Sequence, residues 1–177
     1  ATSRRTNSAF ASTGTIAAGS GVDTLAGGSA GIGWTLTGAT SVGALGIAST
    51  GVEKITGAGT SDTLMAPAAT TFTLDGTDDH HVSALGVAAT GIGAINGTGA
   101  ANALVGSSAS TIYTLNGAND VTAANIRAIG IGTITANGEA DVLAGPAATT
   151  YTLTGTSRQV QALGVTASGI DEVEGNG

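Results

Sequence analysis

The chain has 177 residues, of which 30 are Gly, 10% are charged and 3% are aromatic, and its formal net charge at pH 7 is −7. With only five Lys and Arg residues, the chain lacks the basic surface needed to bind nucleic acid or an anionic membrane. The absence of Cys excludes disulfides and thiolate metal sites. Regularly spaced hydrophobic residues, 41% of the total, predict a folded chain rather than a disordered one.

The first fifteen residues stand apart from the rest of the chain. Arg4 and Arg5 lie there, no apolar stretch follows them as it would in a signal peptide, and the downstream spacing of apolar residues is missing. We therefore interpret residues 1–15 as an amino-terminal cap or linker and residues 16–177 as one array of repeats. No apolar run approaches the ~18 residues of a membrane-spanning helix, so we predict no membrane insertion.

The repeat is clearest in a motif of an aromatic residue, Thr, Leu, a polar residue and Gly, which begins at Trp34, Phe72, Tyr113 and Tyr151. Weaker copies lie between these. The apolar position of the successive copies recurs every 19–21 residues, at Ile16, Leu36, Ile55, Leu74, Ile95, Leu115, Ile134, Leu153 and Val173. A second apolar series has nearly the same spacing, with one member missing at Ala124, and comprises Leu25, Leu45, Leu64, Leu85, Leu104, Leu143 and Leu163. Two series with one spacing predict a structural unit of about 20 residues.

Each unit has the local pattern of a short strand. Apolar residues alternate with Thr, and Gly or Asn-Gly follows as a turn. A sandwich gives no reason for one fixed spacing, and a propeller blade needs ~40 residues. We therefore predict an all-β fold, a right-handed parallel β-helix (β-solenoid) with about 20 residues per coil.

The coils alternate in sequence, because the aromatic residue occurs in every second one. This alternation predicts a two-coil sequence repeat of about 39 residues. The other coils have a small or acidic residue at the same position, namely Glu53, Gly93, Gly132 or Asp171. We expect each ring to spread over the neighbouring glycine, and Glu53 and Asp171 to turn outward.

The two-coil unit joins three short motifs. Asp23-Thr24-Leu25-Ala26-Gly27 is followed by the aromatic motif and then by Gly51-Val52-Glu53-Lys54-Ile55-Thr56-Gly57. Over residues 16–177 this unit resembles the repeats of large bacterial surface and secreted adhesins of the filamentous-haemagglutinin type. The resemblance implies a β-helical shaft or scaffold in an exported protein, with an extracellular or bacterial cell-surface location.

Two groups of residues have ligand types suited to metals. Residues 18–25 are similar to one calcium-binding nonapeptide of repeats-in-toxin proteins, but Asp23, Asp62, Asn102 and Asp141 recur only every 39 or 40 residues. We interpret them as side chains that bond the amides of their own turns. Residues 78–81, Asp-Asp-His-His, are interpreted as a solvated loop, since adjacent residues of a strand point to opposite faces. We therefore predict no metal site and no cofactor.

The sequence also lacks the pattern of an active site. No G-x-S-x-G motif occurs, and Lys54, Arg127 and Arg158 lie in different coils without a shared carboxylate pair. We predict that the chain is not an enzyme and has no catalytic residues.

The residues that alternate with the apolar series form a predicted outward face rich in Thr. A regular array of hydroxyls is similar to the face of β-solenoid ice-binding proteins and suits a glycan or ice, with Lys54 and Asp75 interrupting it. The candidate residues are Thr35, Thr37, Thr56, Thr73, Thr114, Thr133, Thr135, Thr152 and Thr154.

A solenoid that ends without a cap exposes unpaired backbone groups. We therefore expect like chains or further repeats, stacked end to end, as partners, with surface glycans as a further possibility. The expected function is a shaft or scaffold of a surface or matrix protein. The alternative is a self-assembling filament or surface-layer subunit, and the lesser alternative is the glycan- or ice-binding module.

Overall fold

The computed structural model describes residues 14–29, 31–76 and 80–175. This part of the chain contains 21 strands and no helix, and therefore no helix that could cross a membrane. Residues 1–13 of the predicted cap lie outside the described residues, as do Asp78 and Asp79.

The strands form two sheets. In spatial order the first sheet contains β1 (Gly14–Ala17), β5 (Ile47–Thr50), β4 (Ser41–Ala44), β3 (Gly33–Gly38), β7 (Asp62–Ala66), β11 (Ile92–Gly97), β15 (Ile126–Ile129), β14 (Asp120–Ala123), β13 (Ile112–Gly117), β17 (Val142–Gly145) and β21 (Glu172–Gly175). The second contains β18 (Thr152–Leu153), β19 (Gln159–Ala162), β20 (Val165–Ser168), β16 (Ile131–Thr135), β12 (Asn102–Val105), β8 (Thr71–Leu74), β9 (Val82–Ala84), β10 (Val87–Thr90), β6 (Lys54–Thr56) and β2 (Thr24–Ala26).

Each repeat of about 39 residues contributes five strands. Three of them form an antiparallel meander within one sheet, as β3, β4 and β5 do in the first sheet. The next two strands, β6 and β7, cross to the second sheet and back. The following meander, β8 to β10, lies in the second sheet, so the meanders alternate between the sheets along the chain.

The strands of successive passes stack in parallel, which confirms the predicted all-β solenoid; its handedness stays a prediction. It has about five turns, with parallel partners about 31 residues apart, as in Leu25 beside Ile55 and Leu64 beside Ile95. The expected step of about 20 residues between stacked positions is therefore wrong. Leu36 and Ile55, which are 19 residues apart, lie in different sheets, because β3 belongs to the first and β6 to the second.

The first apolar series is buried in the core between the sheets, as predicted, from Leu36 to Ile134, whereas its first member, Ile16, is half-buried. Leu36, Ile55 and Leu115 are at most 1% exposed, and the aromatic residues Trp34, Phe72 and Tyr113 are buried beside them. Burial of such large apolar side chains stabilises the fold by about 1.5–3 kcal/mol each. Leu153 and Val173, at the carboxyl end, are exposed.

The second apolar series is only half in the core. Leu64, Leu104 and Leu143 are buried in strands, but Leu45, Leu85 and Leu163 occupy hairpin turns within the meanders. Their φ angles lie between 48° and 51°, and each is followed by a Gly with positive φ. Two consecutive residues with positive φ are typical of the type I′ turn, which suits the twist of a hairpin. The prediction that all seven leucines occupy equivalent stacked strand positions is therefore wrong.

The aromatic rings pack over the residue that ends the Asp-Thr-Leu motif. A Cβ added at Gly27 would lie 3.1 Å from Trp34 Cζ2, and one added at Gly106 would overlap Tyr113 Oη. The expected glycines, Gly93 and Gly132, have another role: a Cβ at either would overlap a backbone carbonyl of the neighbouring turn. Small residues are thus required both under the rings and where two backbones approach closely.

We predict that Gly106→Ala lowers the free energy of unfolding by about 1–3 kcal/mol, because the added methyl group overpacks the buried Tyr113 ring. Gly117→Ala is the matched control, since a Cβ there has no neighbour within 4 Å. Urea unfolding of both variants measures the difference. Equal stability of the two variants would mean that the ring can move away without cost.

Candidate functional site

Five side-chain acceptors join successive passes of the solenoid, and we call these hydrogen bonds the inter-coil clamps. In each, a backbone N–H donates to an acidic or Asn side chain that lies 30 or 32 residues further along the chain. The clamps run from Asp23 N to Glu53 Oε2 (3.0 Å), Ile32 N to Asp62 Oδ1 (2.9 Å), Thr70 N to Asn102 Oδ1 (2.9 Å), Thr111 N to Asp141 Oδ1 (2.7 Å) and Asp141 N to Asp171 Oδ2 (3.0 Å).

The clamps satisfy amides that the sheets leave unpaired. Ile32, Thr70 and Thr111 directly precede β3, β8 and β13, the strands that contain the buried aromatic residues. Without the clamps, the N–H groups of these three residues would be costly to bury. Asp62 also accepts a bond from Trp34 Nε1 at 3.0 Å, so one carboxylate orients both a turn and a core indole. Asp62 itself is fully buried.

The prediction that these residues bond their own turns is correct only in part. Asp141 Oδ2 accepts from Gly138 N at 2.6 Å, and Asn102 Nδ2 donates to Gly99 O at 3.1 Å, but both side chains also clamp the preceding pass. Asp171 is exposed, as expected, and Glu53 is half-buried; in addition, each side chain accepts an amide bond from the neighbouring pass. Among the described residues, no group of three or more His, Cys, Asp or Glu side chains is placed to hold a metal ion.

The two histidines have separate structural contacts. His80 has a φ of 66°, and its Nδ1 lies 3.0 Å from Ile92 O, so the ring donates a hydrogen bond to that carbonyl. His81 Nδ1 lies 3.2 Å from Asp75 Oδ2. His80 is half-buried and helps to form a turn, so the solvated-loop interpretation is wrong for this residue.

The buried hydroxyl of Tyr113 has no hydrogen-bond partner in the part of the chain that the structure describes. Burial, with a further contribution from the Asp141 carboxylate, raises the pKa of Tyr113 to about 12. The phenol therefore stays protonated in the folded chain under conditions in which it ionises in the unfolded chain.

The nine candidate threonines all point outward but do not share one face. Six belong to the second sheet or follow its edge strand, whereas Thr35, Thr37 and Thr114 belong to the first sheet. The second sheet instead brings together hydroxyls from different strands, in the directly paired residues Thr56 and Thr90, Thr73 and Ser83, Thr133 and Thr166, and Thr135 and Ser168. The repeated Thr motif does not include Ser83, Thr90, Thr166 and Ser168, although their strands show the same alternation of apolar and small polar residues.

The outer faces of the two sheets differ in charge. Lys54 is the only charged residue in the ten strands of the second sheet. The first sheet carries Glu172, Glu174 and an ion pair in which Arg127 Nη2 lies 2.6 Å from Asp120 Oδ2. The hydrogen bond from Arg127 holds the pKa of the Asp120 carboxyl below its usual value. The Arg127 side chain is largely exposed, so solvent screens the ion pair and it contributes little stability.

Comparisons with known proteins give no relative. No protein-family model matches the sequence, and neither the curated proteins nor the solved structures include a match. The likeness to adhesin repeats therefore depends on the sequence motifs alone.

We predict that Asp62→Ala lowers the free energy of unfolding by about 2–4 kcal/mol, because it leaves Ile32 N and Trp34 Nε1 without acceptors. Asp62→Asn should cost less, since one oxygen remains and Asn102 performs the same role naturally. Glu139→Ala is the control, because this side chain is exposed and its removal should change stability by less than about 0.5 kcal/mol. Chemical denaturation of the three variants tests the order; similar values would show that the clamps are dispensable.

Tyr113 gives a prediction about alkaline stability. The Tyr113 phenol ionises near pH 10 in the unfolded chain but only near pH 12 in the folded chain. Its contribution to the free energy of unfolding is therefore complete below pH 10 and is lost as pH rises from 10 to about 12. The loss should reach about 2–3 kcal/mol at the upper limit. Urea unfolding at several pH values should show a shallower alkaline decline for Tyr113→Phe than for the wild type. Parallel declines would contradict the assignment of Tyr113.

Proposed function

We propose that this chain is a structural segment, a stiff shaft or scaffold that holds other parts of an exported bacterial surface or matrix protein apart. The observation that carries this proposal is the continuity of the connections along the stacking axis. Strand pairing runs from β1 to β21 in one sheet and from β2 to β18 in the other. The inter-coil clamps add a side-chain link between passes along the whole length.

The core supports the same proposal, because it forms one cluster from Ile32 to Ile170 without a break. A rod built in this way becomes longer with each added repeat, while each repeat contacts mainly its neighbours. The ten strands of the second sheet are separated by nine steps of about 4.8 Å, which give a length of about 43 Å. Such a module spaces its two ends at a defined distance.

The exported setting is proposed from the resemblance of the repeat motifs to those of bacterial adhesins. The coding sequence on either side of these residues tests it. Further copies of the 39-residue repeat in a protein with an export signal would support the shaft. A flanking sequence that encodes an unrelated intracellular protein would contradict it.

A pair of spin labels tests the stiffness. The natural chain has no Cys, so Ala26→Cys and Thr152→Cys, on the outer strands β2 and β18, can be labelled specifically. We predict a narrow distance distribution near 43 Å, nine strand steps apart. The control pair, Ala26→Cys and Thr133→Cys, spans six steps and should give about 29 Å. A broad distribution for the longer pair alone would show that the rod bends and would reject the shaft.

The second candidate function is recognition of a glycan or of ice by the outer face of the second sheet. Its four cross-strand hydroxyl pairs, with Lys54 the only strand charge, favour it over the more charged first sheet. We predict that Thr133→Lys disrupts any such binding, whereas Thr114→Lys, on the first sheet, leaves it unchanged. A polysaccharide array and an assay of ice recrystallisation measure the two ligands. Equal effects of the variants would contradict a role for this face.

A further inference from the structure

The carboxyl end of the solenoid exposes residues whose counterparts in the middle of the array are buried. Leu153 is 81% exposed, whereas Leu36, Leu74 and Leu115 are between 1% and 3% exposed. Val173 is 40% exposed, although Ile55, Ile95 and Ile134 are at most 1% exposed. Tyr151 is half-buried, unlike the other three aromatic residues of its series. Among the described residues, nothing covers these apolar side chains between the edge strands β18 and β21.

The kind of strand that would pair with the free edge of β18 can be inferred from the other repeats. The three other aromatic strands, β3, β8 and β13, each pair in parallel with β7, β12 and β17, respectively. In each pair the aromatic residue lies beside the Leu of an Asp-Thr-Leu type motif, as Tyr113 lies beside Leu143. The missing partner of β18 is therefore a strand of this motif.

The opposite end of the chain offers such a strand. β2 follows Asp23 and contains Leu25, and among the described residues it pairs only with β6. Asp23 is 8% exposed, and its Oδ2 is buried without a hydrogen-bond partner. In Asp62, Asn102 and Asp141, the corresponding side chains accept the clamp from a preceding pass. Among the described residues, Asp23 is thus an acceptor without a donor.

The missing donor is present at the carboxyl end. Thr149 precedes Tyr151 by two residues, as Thr70 precedes Phe72 and Thr111 precedes Tyr113. Its N–H makes only a 3.3 Å bond to Pro146 O, whereas Thr70 N donates to Asn102. One end of the chain has an unfilled clamp acceptor, and the other has the donor that would fill it.

We propose that two copies of this chain associate head to tail, with β18 of one copy pairing in parallel with β2 of the next. Tyr151 then lies beside Leu25 of the second copy, and Thr149 N donates to Asp23 of the second copy. In the first sheet, β21 replaces β1 on β5, because Ile16 opposes Ser49 just as Ile55 opposes Ala89 and Ile95 opposes Ala128. The inference rests on the rod-like scaffold proposed above and gives it a partner.

Charge and repeat number favour this direction over a two-fold dimer. Antiparallel pairing of β21 with its own copy, centred on Val173, would place Glu172 opposite Glu174, and like charges opposite each other are destabilising. β5 carries no charge. The meanders alternate between the sheets, and the last of the four lies in the second sheet. The next meander along the stack would therefore lie in the first sheet, which is where the first meander of a second copy lies. A stacked copy therefore continues both sheets, and the heterologous contact can propagate.

Analytical ultracentrifugation of the full chain over a wide concentration range tests the proposal. We expect the average mass to rise with concentration beyond that of a dimer. Leu153→Asp should weaken association about 10- to 100-fold, because it removes the burial of a large apolar side chain. Thr152→Asp adds the same charge on the outward side of the same strand and should have a much smaller effect. Both variants should keep the thermal stability of the dilute wild type.

Substitutions of Asp23 distinguish formation of the clamp between copies from nonspecific association. Asp23→Ala should not lower the melting temperature of the dilute chain, because it removes an oxygen that is buried without a partner among the described residues, but it should weaken association about tenfold. Asp23→Asn keeps an acceptor and should associate nearly as the wild type does.

A chain that stays monomeric at all soluble concentrations, or that stops at a dimer, would overturn the head-to-tail proposal. Equal association of the Leu153→Asp and Thr152→Asp variants would overturn the assigned contact. When the spin-labelled chain is diluted with unlabelled chain, the distances are measured within one chain, so the scaffold can survive the failure of this inference. If those distances are broad, the scaffold itself fails.

Discussion

The structure depends on one kind of hydrogen bond, in which a buried side-chain oxygen accepts from a backbone N–H group of the preceding pass of the solenoid. Parallel stacking joins strands well, but it leaves the N–H groups of the turns before them without partners, and burying such groups is costly. Asp62, Asn102 and Asp141 solve this problem from inside the core, each about one pass after its donor. The same side chains set the relative position of successive passes, so they contribute register as well as stability.

Glycine makes the stacking close enough for these bonds to form. Gly93 and Gly132 lie where a Cβ would overlap the carbonyl of the neighbouring turn, while Gly27 and Gly106 lie under large rings. The wide aromatic residues fill the space between the sheets, and the missing side chains beside them let the backbones approach. A low content of charged and aromatic residues therefore accompanies a densely packed fold.

The surfaces differ more than the repeats suggest. The second sheet presents paired hydroxyls with a single charged strand residue, whereas the first sheet presents an ion pair and two glutamates near its carboxyl edge. The ends differ too, since one has an unfilled acceptor at Asp23 and the other exposes Leu153. Unlike faces and ends would suit the scaffold proposed above, because they would define its orientation.

The sequence alone determined the all-β class, the repeated unit of about 39 residues and the burial of Leu36, Ile55 and Leu115, because alternation and turn residues act over a few neighbouring positions. It did not determine which copies stack. A spacing of about 20 residues measures the distance between the repeated motifs, whereas the spacing of about 31 includes a meander that folds back within its sheet. For the same reason, tertiary structure decided three further features. These are the turn positions of Leu45 and Leu85, the clamp of Glu53, and the division of the threonines between two faces. Each depends on a partner about 30 or more residues away or on the hand of a turn, and local pattern carries no information about either.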